Sequence, residues 1–260
     1  MTARLDGKVC VVTGAGGDIG CATVALMAAR GASIVAVDLT PAGLARAKAQ
    51  AGTAAFLGVE ADVTQEAQVA GYAARAKAKF GRIDVLFNNA GVEGGPSAAW
   101  RLTPEVSRAD FDRVFAVNVT GVFLGMKYVI PIMVEGGGGS IINTASVAGI
   151  RPGPGQIAYA ASKAAVMGMT RTAALEWGER SVRVNCINPG PLEGRMMEQI
   201  VSGMAEHRPG GEPAGIRGEF IPMGRWGRPA EIAGVVVFLA SDASSFITGA
   251  LHPIDGGMTA

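Results

Sequence analysis

The run Val9-Cys10-Val11-Val12-Thr13-Gly14-Ala15-Gly16-Gly17-Asp18-Ile19-Gly20 sets the architecture of this chain. Its first five residues are apolar almost without a break, the pattern of a strand buried on both faces rather than one with a wet side. The glycines then open a turn, and Ile19 to Arg30 reads as a helix that Gly31 ends in a C-cap position. The unit recurs. Ser33 to Asp38 reads as a second strand, and Pro41, tolerated in a first turn, opens a helix to about Ala51. Ala55 to Val59 is a third strand and Gln65 to Phe80 a third helix. Strands over Ile83 to Phe87, Ser140 to Thr144, Val182 to Ile187 and Ala250 to Ile254 alternate with helices over Phe111 to Met133, Ile157 to Trp177 and Ala230 to Leu239. This alternation predicts an α/β fold, a doubly wound parallel sheet of seven strands flanked by helices on both faces, with residues 1–260 forming a single domain. The one long irregular stretch, rich in Gly and Pro, lies within about 191–224 and reads as a substrate loop.

Composition narrows the possibilities. Of 260 residues, 49% are hydrophobic and 17% charged, enough apolar material for one large core. A net charge of +1 offers no electrostatic footing for nucleic acid or an anionic membrane. The start, Met1-Thr-Ala-Arg-Leu-Asp-Gly-Lys8, has no apolar leader, and no run approaches the ~18 apolar residues of a bilayer span, so a cytoplasmic protein is expected. Cys10, Cys21 and Cys186 lack paired spacing and read as buried small hydrophobes in a reducing compartment. His207 and His252 are the only histidines and form no ligand pattern, so no metal site is expected.

The quoted run also places a strand, a glycine loop and a helix in the order that a dinucleotide fingerprint of the Rossmann type requires. Glycines let the backbone approach a pyrophosphate, and a helix N-terminus supplies N–H groups and a favourable dipole. Asp38 ends the second strand, where a carboxylate can accept hydrogen bonds from both adenosine ribose hydroxyls and repel a 2′-phosphate. Leu39 follows it, and no Arg or Lys stands nearby in sequence to neutralise such a phosphate. NAD is therefore expected over NADP. Asp38 can also be read as a turn or N-cap residue before Pro41.

Tyr159 and Lys163, in Tyr159-Ala-Ala-Ser-Lys163, share one helix face. Alone the spacing is ordinary. A cation beside a phenol, however, favours the phenolate and lowers a pKa of about 10 toward the range that acid–base chemistry needs.

Further polar clusters close the remaining strands: Asp62-Val63-Thr64, Asn88-Asn89-Ala90-Gly91, Ser146 after Ile141-Ile-Asn-Thr-Ala145, and Asn188-Pro189-Gly190, with Asn118 inside a long helix. Together with Tyr159 and Lys163 and the ending Thr248-Gly-Ala…Asp255-Gly-Gly257, this set resembles the short-chain dehydrogenase/reductase family along essentially the whole chain. The resemblance implies an oxidoreductase that interconverts a secondary alcohol and a ketone by hydride transfer to or from NAD. It gives Tyr159 the acid–base role, Lys163 a bond to the nicotinamide ribose, Ser146 the substrate oxygen, and Asn118 a proton-relay water held through a locally distorted helix. Cofactor contacts would come from Gly14, Gly16, Gly17, Asp18, Ile19 and Gly20, from Asp38 and Leu39, from Asp62 and Val63, and from Asn89, Ala90 and Gly91. Tyr159, Lys163, Pro189, Gly190 and Leu192 would complete them. Substrate contacts are expected from Ser146, Tyr159, Gln156 and Met196, with Glu93 and Trp100 as further wall candidates. A homotetramer built on helices 111–133 and 157–177 and the last strand is also implied. Within the family a 3-oxoacyl-thioester reductase is an alternative, and a non-catalytic NAD-binding sensor or scaffold is another.

Two positions depart from the family's pattern. Its usual loop, Thr-Gly-x-x-x-Gly-x-Gly, has Asp18 in place of the middle glycine, a residue expected here to cap the helix by accepting N–H bonds. A Thr that many members carry four residues beyond Gly190 is Gly194, leaving Glu193 or Arg195 to take over its contact.

Overall fold

The computed structural model describes residues 3–94, 101–195 and 221–260. Seven strands form one parallel sheet: β1 (Val9–Thr13), β2 (Ser33–Asp38), β3 (Phe56–Glu60), β4 (Val85–Asn88), β5 (Gly139–Thr144), β6 (Val182–Pro189) and β7 (Leu251–Ile254), in the order β3-β2-β1-β4-β5-β6-β7. Every residue of β1 is buried, and its side chains alternate between two cores, as a strand covered on both sides must. Val9 and Val11 face one core with Tyr72, Met133 and Val166; Cys10 and Val12 face the other with Met27, Ala47 and Val236.

The second of these cores is closed by α1 (Asp18–Ala29), α2 (Pro41–Ala51) and α7 (Pro229–Ala240), and the first by α3 (Glu66–Phe80), α5 (Gly121–Glu135) and α6 (Ile157–Trp177), with α4 (Arg108–Phe115) packed against α6. The expected helix over 111–133 differs in two ways. It begins at Arg108, because the Ser107 hydroxyl accepts the Asp110 N–H at 3.0 Å and caps a first turn too polar to show apolar periodicity. It is also interrupted by a π turn, Ala116–Thr120, between α4 and α5. By length and composition Arg108–Glu135 would pass for a bilayer span, contrary to the sequence expectation. Half of its most apolar window is nonetheless buried in the molecule, as in a core helix. Cys10 and Cys186 are buried as expected, whereas Cys21 is only half-buried.

A chain of buried amides joins the elements that carry the site. Asn88 on β4 donates to Asn143 Oδ1 on β5 at 2.9 Å, and Asn143 donates to Thr170 Oγ1 on α6 at 3.0 Å. Asn143 is wholly buried, so its removal orphans groups on both neighbours. Asn143→Ala should lower unfolding free energy by roughly 2–4 kcal/mol, read as a shift of the urea midpoint.

Candidate active site

In this strand order β1 and β4 are neighbours whose chains leave in opposite directions, and such a switch point leaves a crevice beyond the strands' carboxyl ends. A cavity of about 430 Å³ occupies it. Gly14, Gly17, Asp18, Ile19 and Asp38 line one end; Asn89, Ala90, Gly91, Pro189, Gly190 and Leu192 line the middle; Ser146, Gln156, Tyr159 and Lys163 line the other end. Most residues singled out in the sequence thus share one cavity.

The glycine loop is locked to β4. Thr13 Oγ1 accepts the N–H groups of Asn89 and Ala90 at 3.0 and 3.1 Å, and Asn89 Nδ2 donates to the carbonyls of Thr13 and Gly14. Gly14 has φ +60°, and a Cβ there would lie 2.9 Å from Ala90 Cα, so only glycine fits. Asp38 faces the cavity and also holds the turn into α2: Oδ2 accepts from Gly16 N at 2.9 Å and Oδ1 from Thr40 N at 3.1 Å. The cap of α2 is Thr40, whose hydroxyl accepts the Gly43 N–H.

Six predicted residues do not line the cavity. Gly16 supports Asp38, and Gly20 lies tight beneath the Gly14 carbonyl. Leu39 is exposed, Asp62 accepts the Thr64 N–H in its own turn, and Val63 packs on Gly121. Asn118 sits behind the wall, wholly buried at the centre of the π turn. Its Oδ1 accepts Val92 N at 2.8 Å, and its Nδ2 donates to Val92 O at 2.8 Å and Ser162 Oγ at 3.0 Å. Met196, Trp100, His207 and most of the 191–224 loop lie outside the described residues.

At the other end, α6 presents Tyr159 and Lys163 one turn apart. Lys163 Nζ lies 5.5 Å from the Tyr159 ring centroid and donates to Thr144 O at 2.8 Å. Ser146, extended at the end of β5, accepts the Ala148 N–H at 3.1 Å and so starts a 3₁₀ turn. The expected depression of the phenol by the ammonium does not occur in this arrangement. Burial, and after it the nearby Glu93 carboxylate, push the Tyr159 pKa up to about 12 against the opposing effect of the Ser146 hydroxyl. Burial likewise pulls Lys163 down to about 8. Loss of hydration is the largest cause of both shifts.

Asp18 is the first residue of α1 rather than its cap; Gly17 takes that place without a side-chain bond. The Asp18 carboxylate instead reaches across the cleft, accepting Arg195 N at 3.0 Å and Nε at 3.3 Å. Gly194 has φ +138°, and a Cβ there would lie 2.5 Å from Asp18 Oδ2, so the two unusual positions meet. Arg46 was not foreseen. It lines the cavity from α2 and donates from Nε to Gly16 O at 3.0 Å, so a cation does stand near Asp38. Its only signal in sequence is one polar position on α2, which does not say which face it takes.

Comparison with known proteins agrees with this geometry. A family model described as Enoyl-(Acyl carrier protein) reductase matches residues 14–259. The chain is 41% identical over 266 residues to the levodione reductase of Leifsonia aquatica, covering 100% of this chain and 97% of that one. It is 41% identical to a 3-oxoacyl-(acyl-carrier-protein) reductase of Thermotoga maritima, covering 98% and 99%. The structure of an NAD⁺-bound xylitol dehydrogenase superposes with a TM-score of 0.91 at 38% identity, covering 98% of this chain and all of that one. On residues, topology and these likenesses together, the chain belongs to the short-chain dehydrogenase/reductase family.

Proposed function

We propose that this protein, acting as a single domain, is an NAD-dependent oxidoreductase that interconverts a secondary alcohol and a ketone. The observation that carries the reading is one continuous cavity with Asp38 at one end and Ser146, Tyr159 and Lys163 at the other. A dinucleotide needs that span, and the xylitol dehydrogenase of the same architecture is NAD⁺-bound. The residues fit the group: a glycine loop pressed against β4, a helix N-terminus beside it, and a carboxylate at the end of β2.

Bound there, NAD⁺ supplies the hydride acceptor and a fixed positive charge. The chain's residues handle the proton and the oxygen. Tyr159, as phenolate, would take the hydroxyl proton of the alcohol and pass it on, and the carbinol hydride is what the bound cofactor would accept, leaving the ketone. The Ser146 and Tyr159 hydroxyls flank the oxygen as charge develops on it. Lys163 would hold the nicotinamide ribose, and the positive charge of the bound nicotinamide would favour the phenolate. Asn118 acts through position: its amide fixes Val92 and Ser162, and the π turn around it frees backbone groups for a relay water. Asp38 hydrogen-bonds the adenosine ribose. Arg46 weakens the argument from missing cations, so NAD preference rests on the Asp38 charge itself. The levodione reductase and xylitol dehydrogenase likenesses support a secondary alcohol or ketone substrate. The 3-oxoacyl-thioester alternative is favoured by the Thermotoga maritima relative and by the likeness to a 3-ketoacyl-(acyl-carrier-protein) reductase of Brucella melitensis complexed with NADH.

Reduction of NAD⁺ across a panel of secondary alcohols, with the reverse ketone panel, tests the reading; turnover with neither overturns it. Tyr159→Phe should lower kcat by about 10²–10⁴-fold while NADH still binds within a few-fold, measured by fluorescence titration. Asp38→Ala should cut the NAD⁺ over NADP⁺ ratio of kcat/KM by at least about tenfold, since the repelling charge goes and Arg46 stays. Arg195→Ala should weaken NADH binding about tenfold by baring the Asp18 carboxylate beside the pyrophosphate. Asp18→Gly in that background should regain most of the loss, and a double variant no better than Arg195→Ala would exclude this coupling.

A further inference from the structure

Glu93 is the residue whose position the reaction above does not use. It follows Val92, whose N–H and carbonyl are both held by the buried Asn118 amide, so its backbone is fixed although its side chain is not. That side chain lines the main cavity beside Ser146 and Tyr159, and the Tyr159 phenol senses its charge. With Gln156 and Tyr159, Glu93 also lines a small adjoining recess backed by Val106, Val114 and Ile157. Two polar side chains therefore stand where the reaction chamber meets an apolar wall. Neither the Glu93 carboxyl nor the Gln156 amide has a hydrogen-bond or ion-pair partner among the described residues. Glu93 is half-buried, and burial raises its pKa to about 7. A half-buried carboxyl without a protein partner, facing a cavity, is placed to take a donor from a ligand.

We propose that Glu93 and Gln156 form a subsite for a second hydroxyl on the substrate, so that diols are preferred over simple secondary alcohols. The inference rests on the alcohol–ketone reading above and names the substrate class for it. A carboxylate accepts from a hydroxyl, and an amide can both donate to it and accept from it, so the pair matches an O–H group. An ammonium is the other donor that a carboxylate attracts, but Lys163 already places a cation in the same cavity. The recess of Val106, Val114 and Ile157, about 10 Å³, closes off the far side of that hydroxyl, and the carbon skeleton stays in the main cavity.

The test compares NAD⁺-dependent oxidation of matched pairs, cyclohexanol with cyclohexane-1,2-diol and 2-butanol with 2,3-butanediol, plus 2-aminocyclohexanol. The wild-type enzyme should favour the diol in kcat/KM by about ten- to a hundredfold. Glu93→Leu should collapse that ratio mainly through KM for the diol, and Glu93→Gln should keep part of it. NADH titration of each variant reports that it has folded. Equal kcat/KM for diol and simple alcohol in the wild type, a ratio unchanged in Glu93→Leu, or preference for the amino alcohol would each overturn the subsite while leaving the alcohol–ketone reading intact. No turnover of any alcohol or of the matching ketones would overturn both.

Discussion

One buried amide holds the site together. Asn118 is wholly enclosed, and an enclosed amide is costly unless each of its polar atoms finds a partner. Its partners come from two other parts of the chain: both backbone groups of Val92, after β4, and the Ser162 hydroxyl on α6. Ser162 in turn donates to the Tyr159 carbonyl at 2.7 Å. The segment after β4, the π turn and the first turn of α6 are thus registered to one another by hydrogen bonds, and Lys163 adds β5 through Thr144 O. Gly91 sits inside this knot; a Cβ there would lie 3.3 Å from Asn118 Oδ1 and 3.4 Å from Lys163 Nζ. Reacting groups placed this way keep their geometry because rigid elements, not loops, carry them.

Burial also decides the electrostatics of the site. It drives the phenol and the ammonium toward their neutral forms, with Tyr159 at about 12 and Lys163 at about 8. A positive charge brought into the cavity shifts the phenol in the other direction, because it meets little competing solvent there.

Much of the fold was legible because its signals are local. The apolar runs marked all seven strands to within two residues at each end, and α6 was bounded correctly at Ile157 and Trp177. The π turn was not legible as an element boundary: Ala116 to Thr120 carries no Gly or Pro, and tertiary bonds to Asn118 accompany the distortion. Most site residues were legible because parallel sheets gather ligand-binding groups at strand ends. The Asp18–Arg195 pair was not, since 177 residues separate the partners and no spacing rule joins them. The Tyr159 shift was misjudged for a related reason: spacing tells which groups are neighbours but not how much water each has lost.

Asp18 and Gly194 look like two separate losses when each is set against the family's pattern, yet in three dimensions each makes sense only with the other. A carboxylate in the first turn of α1 gains from the helix dipole but would repel a pyrophosphate at the same helix end. The Arg195 N–H and guanidinium answer that charge. They reach it only because the backbone at 194 comes so close to the carboxylate that any Cβ would collide with it, in a conformation that glycine alone adopts readily. A threonine restored at 194 would strike Asp18, and a glycine restored at 18 would leave Arg195 without its anion. The two substitutions therefore act as one unit. They tie the start of α1 to the segment after β6 with an ion pair, at the place where other members of the family are expected to use a hydroxyl.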